Sequence, residues 1–360
     1  MKSYLITGGA GFIGSNFVKY MLEKYNTRKD IKLIVLDKLS YAGNLDNLIY
    51  IMNEIKFIKG DIANRDLIEY IFAEYNIDYL INFAAESHVD KSIKDPQLFI
   101  ETNVLGTQNL LDISKEFWKV DGSNYRAGVK FLQISTDEVY GSLEGEGYFS
   151  EETALAPNSP YAASKASADM LVRAYHQTYN LPINITRCSN NYGPYQFPEK
   201  LIPLFVTNAV DDKELPIYGE GKNIRDWIYV RDHCQAIDLV LQQGKSGEVY
   251  NIGANNERTN LEITKIILQL LDKSDSLITY VSDRLGHDYR YAIDASKIKN
   301  DLDWEVEYSF ETGIKETVQW YLDNEDWWRR VQDGEYQRSY QPEKIMNKNL
   351  GVNDLKKTEI

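Results

Sequence analysis

Cysteine and histidine are scarce in this sequence, and neither forms a recognisable pattern. The 360 residues include two cysteines, Cys188 and Cys234, and four histidines. Two isolated cysteines do not make a disulfide framework, so we expect both to be reduced and buried. The histidines lack the spacing of zinc ligands, and no metal site is predicted.

Long apolar segments and an excess of positive charge are absent as well. No apolar run approaches the ~18 residues of a membrane span, and the N-terminus enters the strand-like segment Tyr4–Thr7 without a signal peptide. The net charge of −14 argues against broad binding to nucleic acid or anionic membranes. A few local arginines and lysines still suffice for an anionic small ligand. The sequence therefore predicts a cytoplasmic protein that binds neither nucleic acid nor membranes.

The composition is that of a globular protein, 43% hydrophobic and 26% charged. In the first half, short apolar runs alternate with helical patterns, which predicts a doubly wound α/β fold of the Rossmann type with a mostly parallel sheet. The predicted strands are Tyr4–Thr7, Leu33–Asp37, Phe57–Ile58, Tyr79–Phe83, Phe131–Ser135 and Ile183–Arg187. The predicted helices are Ser15–Lys24, Arg65–Tyr75, Val104–Phe117 and Tyr161–Tyr179.

The pattern changes along the chain, and the changes predict domain boundaries. Residues 1–187 form the Rossmann domain, and the turn-rich residues 188–330 form a smaller C-terminal α/β domain. Residues 226–241 resemble a strand and helix that return to the first domain. From about Val331 the periodicity is lost, so residues 331–360 are predicted to be a peripheral tail.

A glycine-rich turn near the N-terminus indicates a dinucleotide site. Gly8, Gly11 and Gly14 lie between an apolar strand and an amphipathic helix, where glycines permit a tight turn and close approach to a pyrophosphate. Asp37 ends the next strand, where a carboxylate accepts hydrogen bonds from the adenosine ribose and repels a 2′-phosphate. That favours NAD over NADP. A purely structural turn is the alternative, which the strand, the helix and Asp37 together disfavour.

Two later strand ends fit the same site. Asp61 and Ile62 end the third strand unit, where an aspartate is suited to the adenine amino group. Phe83, Ala84 and Ala85 end the fourth, where small residues let a cofactor lie close. We predict that all five residues line the NAD site.

Tyr161 and Lys165 indicate oxidation of an alcohol. They are four residues apart in a helical segment and therefore share one face. A phenol has a pKa near 10, and a nearby ammonium lowers that pKa, so the tyrosine can act as a base while the lysine also holds the nicotinamide ribose. A surface Tyr–Lys pair is the alternative. The position after the strand ending in Ser135–Thr136 favours the catalytic interpretation.

Longer motifs carry a family resemblance. They are the glycine turn, Tyr161-x-x-x-Lys165, and the strings 83–90 (FAAESHVD), 135–141 (STDEVYG), 189–195 (SNNYGPY) and 225–227 (RDW). Together they resemble the dTDP-glucose 4,6-dehydratase family of extended short-chain dehydrogenase/reductases, up to about Trp328. The resemblance implies a lyase of deoxysugar (rhamnose-type) biosynthesis with tightly held NAD. It also implies a homodimer paired through the helices Val104–Phe117 and Tyr161–Tyr179.

The resemblance gives Thr136, Asp137 and Glu138 distinct roles. Thr136 contacts the sugar O4, Asp137 protonates the departing C6 hydroxyl, and Glu138 removes the C5 proton. The chemistry is sound, because oxidation at C4 acidifies the C5 proton and loss of water then needs one base and one acid. A solvated Asp-Glu turn is the alternative, disfavoured by the surrounding motif.

Further contacts are implied by the resemblance alone. Additional cofactor residues are Phe12, Ile13, Lys38, Ser40, Thr102 and Asn191. Substrate residues are Ser87, Asn190, Lys200, Leu201, Pro216, Tyr218, Arg225, Asn260, Arg284 and His287. Two arginines, Arg225 and Arg284, suit a diphosphate, and Tyr218 and Leu201 could flank the pyrimidine. Around Arg284, Leu285 and Tyr289 depart from a common family form.

Other functions remain open at this level. A 4-epimerase or decarboxylase of the same fold is the alternative enzyme, and a non-catalytic NAD-binding regulatory protein is the alternative of another class. The residues themselves do not fix the nucleobase, dTDP or UDP; only the resemblance favours dTDP-glucose.

Overall fold

A computed structural model describes residues 1–25, 30–283 and 287–338. The strands are β1 (Lys2–Thr7), β2 (Ile31–Asp37), β3 (Lys56–Lys59), β4 (Tyr79–Asn82), β5 (Lys119–Asp121), β6 (Asn124–Tyr125), β7 (Lys130–Thr136), β8 (Ile183–Cys188), β9 (Asn190–Tyr192), β10 (Leu215–Tyr218), β11 (Ile224–Tyr229), β12 (Val249–Ile252), β13 (Glu257–Thr259) and β14 (Ile278–Val281). The helices are α1 (Phe12–Lys24), α2 (Arg65–Tyr75), α3 (Val89–Lys94), α4 (Pro96–Phe99), α5 (Thr107–Trp118), α6 (Pro160–Tyr179), α7 (Leu201–Val210), α8 (Val230–Gln243), α9 (Asn260–Leu270), α10 (Ser296–Leu302), α11 (Phe310–Asp323), α12 (Glu325–Gln332) and α13 (Glu335–Arg338).

Seven parallel strands form the main sheet, in the order β12-β8-β7-β4-β1-β2-β3. All six predicted strands belong to it, and the predicted doubly wound α/β class is confirmed. The central strands β1, β4, β7 and β8 are buried on both faces because helices cover both sides. From β1 the chain runs first to β2 and β3 and then crosses to β4, so the order reverses beside β1. Ligands of open α/β sheets bind at such a reversal, beyond the carboxyl ends of the strands.

Two apolar layers enclose the sheet. On one face, Phe17 and Met21 of α1 pack with Ile237 and Val240 of α8. On the other face, the buried sides of α2, α5 and α6 form a second cluster. Helix α8 packs directly on α1, whereas residues 226–229 belong to β11, which pairs with β9 and β13 in a separate sheet. The return of residues 226–241 to the first domain stays a prediction.

More of the C-terminal half returns to this sheet than the sequence predicted. The seventh strand, β12, lies within residues 188–330, for which the sequence predicted a turn-rich domain and no strand of the main sheet. It pairs with β8 in parallel, so its partner rather than its own short pattern makes it a strand. Ile298 of α10 packs in the apolar layer that contains α1 and α8. The predicted domain boundary at residue 187 stays a prediction, and β12 and α10 lie after that boundary but pack with the first domain.

A separate C-terminal layer stands beyond the strand ends. It contains the three-stranded sheet β13-β11-β9 and the pair β10-β14. Helices α7, α9, α11 and α12 contribute to its core, which includes Phe205, Ile263, Val318 and Trp328. This layer covers the carboxyl ends of the main sheet and closes a cleft between them.

Two predicted boundaries differ from the structure. The helix predicted over Val104–Phe117 begins as α5 only at Thr107, and a π-helix over Ile100–Gly106 precedes it. The prediction of a peripheral tail from residue 331 is wrong at its start, because residues 331–338 continue in helices and bury Val331 and Tyr336. Polar neighbours had masked these two buried positions in the sequence. Residues 339–360 lie outside the described part of the chain.

Candidate active site

A cavity of about 320 Å³ opens at the carboxyl ends of β1, β2, β4, β7 and β8. Every residue predicted to hold the cofactor lines it: Gly8, Gly11, Phe12, Ile13, Gly14, Asp37, Lys38, Ser40, Asp61, Ile62, Phe83, Ala84, Ala85, Thr102, Tyr161, Lys165 and Asn191. The reversal of strand order beside β1 is thus where these side chains meet.

The glycine turn has a shape that only glycine permits. Gly8 has a φ of +67°, and a Cβ there would lie 2.7 Å from the backbone N of Ala84. A Cβ on Gly14 would collide with the carbonyl oxygen of Gly8. The N–H of Gly11 donates to that same oxygen over 3.1 Å, closing the turn. The result is a cradle of bare backbone at the start of α1, which fits a dinucleotide pyrophosphate.

Asp37 is buried at the end of β2, and the backbone holds its carboxylate in place. One oxygen accepts from the Ala10 N–H over 2.9 Å and the other from the Leu39 N–H over 2.8 Å. Burial raises the pKa of Asp37, although both hydrogen bonds oppose that change. Asp61, 2.6 Å from the Lys38 ammonium, lies across the same end of the cavity. This end suits an adenosine.

Tyr161 and Lys165 are both buried on the first turns of α6. The Lys165 ammonium donates to the Ile134 carbonyl over 2.7 Å, and burial lowers the pKa of Lys165 against the opposing charge of Asp169. Burial, followed by the charge of Glu138, raises the pKa of Tyr161 well above its usual value. We predicted that Lys165 lowers the pKa of Tyr161, whereas in this structure that pKa is raised.

Thr136 ends β7, and a 3-10 turn over Asp137–Tyr140 follows it. The Thr136 hydroxyl accepts from the Glu138 N–H and donates to an Asp137 carboxyl oxygen, both over 3.3 Å. Asp137 is only 2% exposed. Burial, with the charge of Glu138 next in importance, raises its pKa well above the usual range.

The two adjacent acids therefore differ in environment. The second carboxyl oxygen of Asp137 is buried and has no hydrogen-bond partner in the protein, whereas Glu138 is partly exposed. A buried carboxyl with a raised pKa is suited to donate a proton, and a partly exposed neighbour is suited to accept one. The geometry thus gives the two consecutive carboxyls different environments.

A second cavity of about 240 Å³ continues from the first and shares Asn190, Glu199 and Lys200 with it. It is lined by eight predicted substrate residues: Asn190, Lys200, Leu201, Pro216, Tyr218, Arg225, Asn260 and His287. The other two described ones, Ser87 and Thr136, line the first cavity. Arg284 lies outside the described residues. The two cavities together form one elongated cleft between the sheet and the C-terminal layer.

Arg225 is engaged more fully by the protein than its predicted role requires. Its guanidinium donates to the carbonyls of Ile224, Asp288 and Tyr289 over 2.7, 2.9 and 3.2 Å. It also stacks on the Tyr291 ring at 4.2 Å. These contacts hold the cation rigidly at the cavity wall.

Sequence reasoning missed several residues that line the cleft. Tyr41, Ala42 and Gly43 follow Asp37 and line the first cavity, while Trp227 lines the second. Trp227 belongs to the motif at 225–227, but the other three carry no motif. In the described part of the chain, His, Cys, Asp and Glu do not gather into any group of three or more that could hold a metal ion, and no helix there is long and apolar enough to cross a membrane.

Known proteins resemble this chain over almost its whole length. The family model for GDP-mannose 4,6 dehydratase matches residues 5–317. A dTDP-glucose 4,6-dehydratase of Xanthomonas campestris pv. campestris (strain B100) is 51% identical over 347 residues, covering 93% of this chain and 97% of that protein.

Two solved structures are similar in both sequence and shape. A dTDP-glucose 4,6-dehydratase of Bacillus anthracis in complex with NAD is 53% identical with a TM-score of 0.84, covering 92% of this chain and 100% of that one. One from Streptomyces venezuelae with NAD and TYD bound is 47% identical with a TM-score of 0.85, covering 91% and 99%. The similarity therefore spans both the sheet and the C-terminal layer.

Proposed function

Because the chain belongs to the dTDP-glucose 4,6-dehydratase family, we propose that it converts dTDP-glucose to dTDP-4-keto-6-deoxyglucose. The order of events is oxidation at C4, loss of water across C5 and C6, and return of the hydride to C6. Relatives named for this activity are about half identical to the chain. The buried, unpartnered carboxyl oxygen of Asp137 beside Glu138 is the observation that carries the proposal.

The cofactor is NAD, held by the glycine cradle, Asp37 and Lys165. Bound NAD supplies a hydride acceptor that becomes a hydride donor within the same turnover. Tyr161 takes the proton of the C4 hydroxyl, and Thr136 binds O4 beside it.

The acid pair performs the elimination. Glu138 removes the C5 proton, which the C4 ketone has made acidic, and Asp137 donates its proton to the departing C6 hydroxyl. Burial and the charge of Glu138 raise the pKa of Asp137 well above its usual range, which favours the protonated form that a proton donor needs. A 4-epimerase or decarboxylase has no need of this second acid, so the pair favours the dehydratase.

Product analysis with an isotopic label tests the proposal. The purified protein is incubated with dTDP-glucose carrying deuterium at C4, and with UDP-glucose in parallel, and products are identified by mass and NMR. We expect a 4-keto-6-deoxy sugar with the deuterium at C6, no net NADH, and faster reaction of the dTDP sugar. Deuterium that stays at C4 or is lost to solvent contradicts the mechanism and favours the epimerase or decarboxylase.

The assembly we infer is a homodimer. An apolar surface on the helices α5 and α6 and the π-helix before α5 is exposed in the single chain: Ile100 is 45%, Leu105 51%, Phe117 43% and Met170 56% exposed. Pairing of such helices across a two-fold axis buries this surface in a four-helix bundle. The helix residues Leu110 and Leu111, by contrast, are fully buried within the chain.

Light scattering tests the dimer. Met170→Glu places a charge at the centre of the proposed interface and should convert dimers to monomers at micromolar concentration. Tyr280→Glu is the control, because Tyr280 is 58% exposed on β14, away from this surface. A wild-type monomer, or dissociation by both variants equally, contradicts the assignment.

The location we infer is the cytoplasm. Cys188 and Cys234 are both free and buried, a state typical of reducing compartments. Cell fractionation with an antibody against the chain checks this, and recovery in a secreted fraction contradicts it.

A further inference from the structure

We propose that the C-terminal helices α12 and α13 brace the loop that closes the adenosine end of the cofactor cavity, and that Trp327, Arg330 and Tyr336 are positioning residues that slow the release of NAD. The inference rests on the proposed use of NAD. It gives a role to a region that no motif in the sequence marked.

The braced loop is residues 38–47, which directly follow Asp37. Lys38, Ser40, Tyr41, Ala42 and Gly43 all line the cavity, so this loop forms one wall of the space next to the ribose-binding carboxylate. Within the loop, the Gly43 N–H donates to the Ser40 carbonyl over 3.3 Å, and the Asn44 N–H donates to the Ala10 carbonyl of the glycine turn over 3.0 Å. Contacts with other segments therefore contribute to the position of the loop.

Asn47 links the C-terminal helix to the glycine turn. The Trp327 indole N–H donates to the Asn47 side-chain oxygen over 2.9 Å, and the Asn47 amide donates to the Ala10 carbonyl over 2.9 Å. The Ala10 N–H in turn donates to Asp37 over 2.9 Å. Asn47 is only 2% exposed. An unbroken chain of hydrogen bonds thus runs from α12 to the carboxylate proposed to hold the ribose.

Two further interactions fix the same loop at other points. The Arg330 guanidinium lies 2.9 Å from the carboxylate of Asp46. The Tyr336 hydroxyl of α13 donates to the carbonyl of Tyr41, and its ring meets the ring of Phe197, with centroids 6.1 Å apart. Tyr41 and Phe197 both line the cavity. The helices therefore contact the loop at three separate residues and also contact Phe197, whose ring packs on that of Tyr41 with centroids 5.7 Å apart.

In the proposed binding mode the adenosine would lie behind this wall, so release of the dinucleotide would require the wall to move away. Moving residues 41–47 outward breaks the interactions with Trp327, Arg330 and Tyr336 together. A variant that lacks any one of these interactions has a less stable closed state, so its open state is more populated and NAD leaves faster. The brace acts on cofactor retention and leaves the reacting atoms untouched.

A matched pair of tryptophan variants tests the brace. Trp327→Phe keeps an aromatic ring but removes the donor to Asn47. Trp328→Phe is the control on the same helix, because its indole N–H donates over the same 2.9 Å to Tyr321, away from the loop. Full-length protein loaded with NAD is mixed with excess fluorescent etheno-NAD, and the exchange rate is measured. Trp327→Phe should accelerate NAD release about 3- to 10-fold, and Trp328→Phe should not.

Arginine variants make an independent test should either aromatic variant fail to fold. Arg330→Gln removes the ion pair with Asp46 and should speed release about 2- to 5-fold. Arg329→Gln is its control, since Arg329 pairs with Asp211 and Glu325 instead. Tyr336→Phe should resemble Trp327→Phe. In each variant, kcat at saturating NAD should stay at the wild-type value.

Equal release rates in Trp327→Phe and wild type, or equal acceleration by both members of a pair, overturn the brace. Either result leaves the dehydratase proposal standing. Absence of NAD binding by the wild-type protein would instead contradict the proposed function itself.

Discussion

Removal of one charge from the buried pair Asp169–Arg187 should destabilise both halves of the active site. The Arg187 Nε lies 2.9 Å from an Asp169 carboxylate oxygen, and the side chains are 7% and 1% exposed. Asp169 follows Lys165 by one helical turn on α6. A second Arg187 N–H donates over 2.9 Å to the hydroxyl of Tyr140, the last residue of the turn that carries the acid pair. Arg187 thus joins the helix of the base to the turn of the acids.

The size of the effect follows from burial. Asp169→Asn keeps the shape but leaves a guanidinium buried without its counter-ion, which typically costs about 3–5 kcal/mol. Adding Arg187→Met removes the stranded charge, so the double variant should be less destabilised than the sum of the single variants, by about 2–3 kcal/mol. An exposed pair offers the control: Glu23 and Arg231 lie 2.8 Å apart but are 56% and 47% exposed, so Glu23→Gln should cost under about 1 kcal/mol.

Equilibrium urea unfolding at neutral pH measures these free energies, and the pH profile of enzyme-bound NADH formation provides a second readout. The Asp169 charge raises the pKa of Lys165 against the dominant effect of burial. Removing that charge lowers the pKa, so Lys165 loses its proton at lower pH and NADH formation should fail earlier on the alkaline side. A destabilisation as small as that of Glu23→Gln, or strict additivity in the cycle, would refute the reasoning.

Three further outcomes are expected. Tyr161→Phe removes the base for oxidation at C4, so the absorbance of bound NADH should form about 10²–10⁴-fold more slowly; a wild-type rate contradicts the role. Glu138→Gln removes a charge that raises the pKa of Asp137. The Asp137 pKa then falls, so Asp137 loses the proton needed for dehydration at a lower pH. If the residual elimination of this variant declines on the alkaline side at the same pH as in the wild type, Asp137 is not the acid. Gly8→Ala places a Cβ 2.7 Å from the backbone N of Ala84, and NAD titration should show at least about 10-fold weaker binding; unchanged affinity contradicts the cradle.

Much of the fold was readable because its signals are local. Each of the six predicted strands is an apolar run next to a helical pattern, and the parallel sheet follows from that alternation. The cavity residues at the strand ends followed from the same logic, since a doubly wound sheet brings the ends of β1, β2 and β4 together. The sequence did not predict the strand β12, because four residues beside a glycine resemble a turn. Only the pairing with β8 makes them a strand.

The predicted roles of the site residues remain predictions, but the structure changes two of their physical premises. Lys165 was expected to lower the pKa of Tyr161, whereas burial and Glu138 raise that pKa. Arg225 was expected to suit a diphosphate, whereas three backbone carbonyls accept hydrogen bonds from its guanidinium. Two of these carbonyls, on Asp288 and Tyr289, lie more than 60 residues away in the chain.

The sequence alone determined the chemical groups: a glycine turn that permits a cofactor to approach, a tyrosine and lysine on one helical face, and two adjacent carboxyls. These depend on neighbours within a few residues. Only the tertiary structure decided that burial, followed by the charges of Glu138 and Asp226, raises the pKa of Asp137, because the burial and the approach of Asp226 depend on segments that are distant in the chain. It also decided that Trp327 and Tyr336 reach the loop after β2, nearly 300 residues away in the chain. Interactions over such separations exist only once the chain has folded, because no local pattern encodes them.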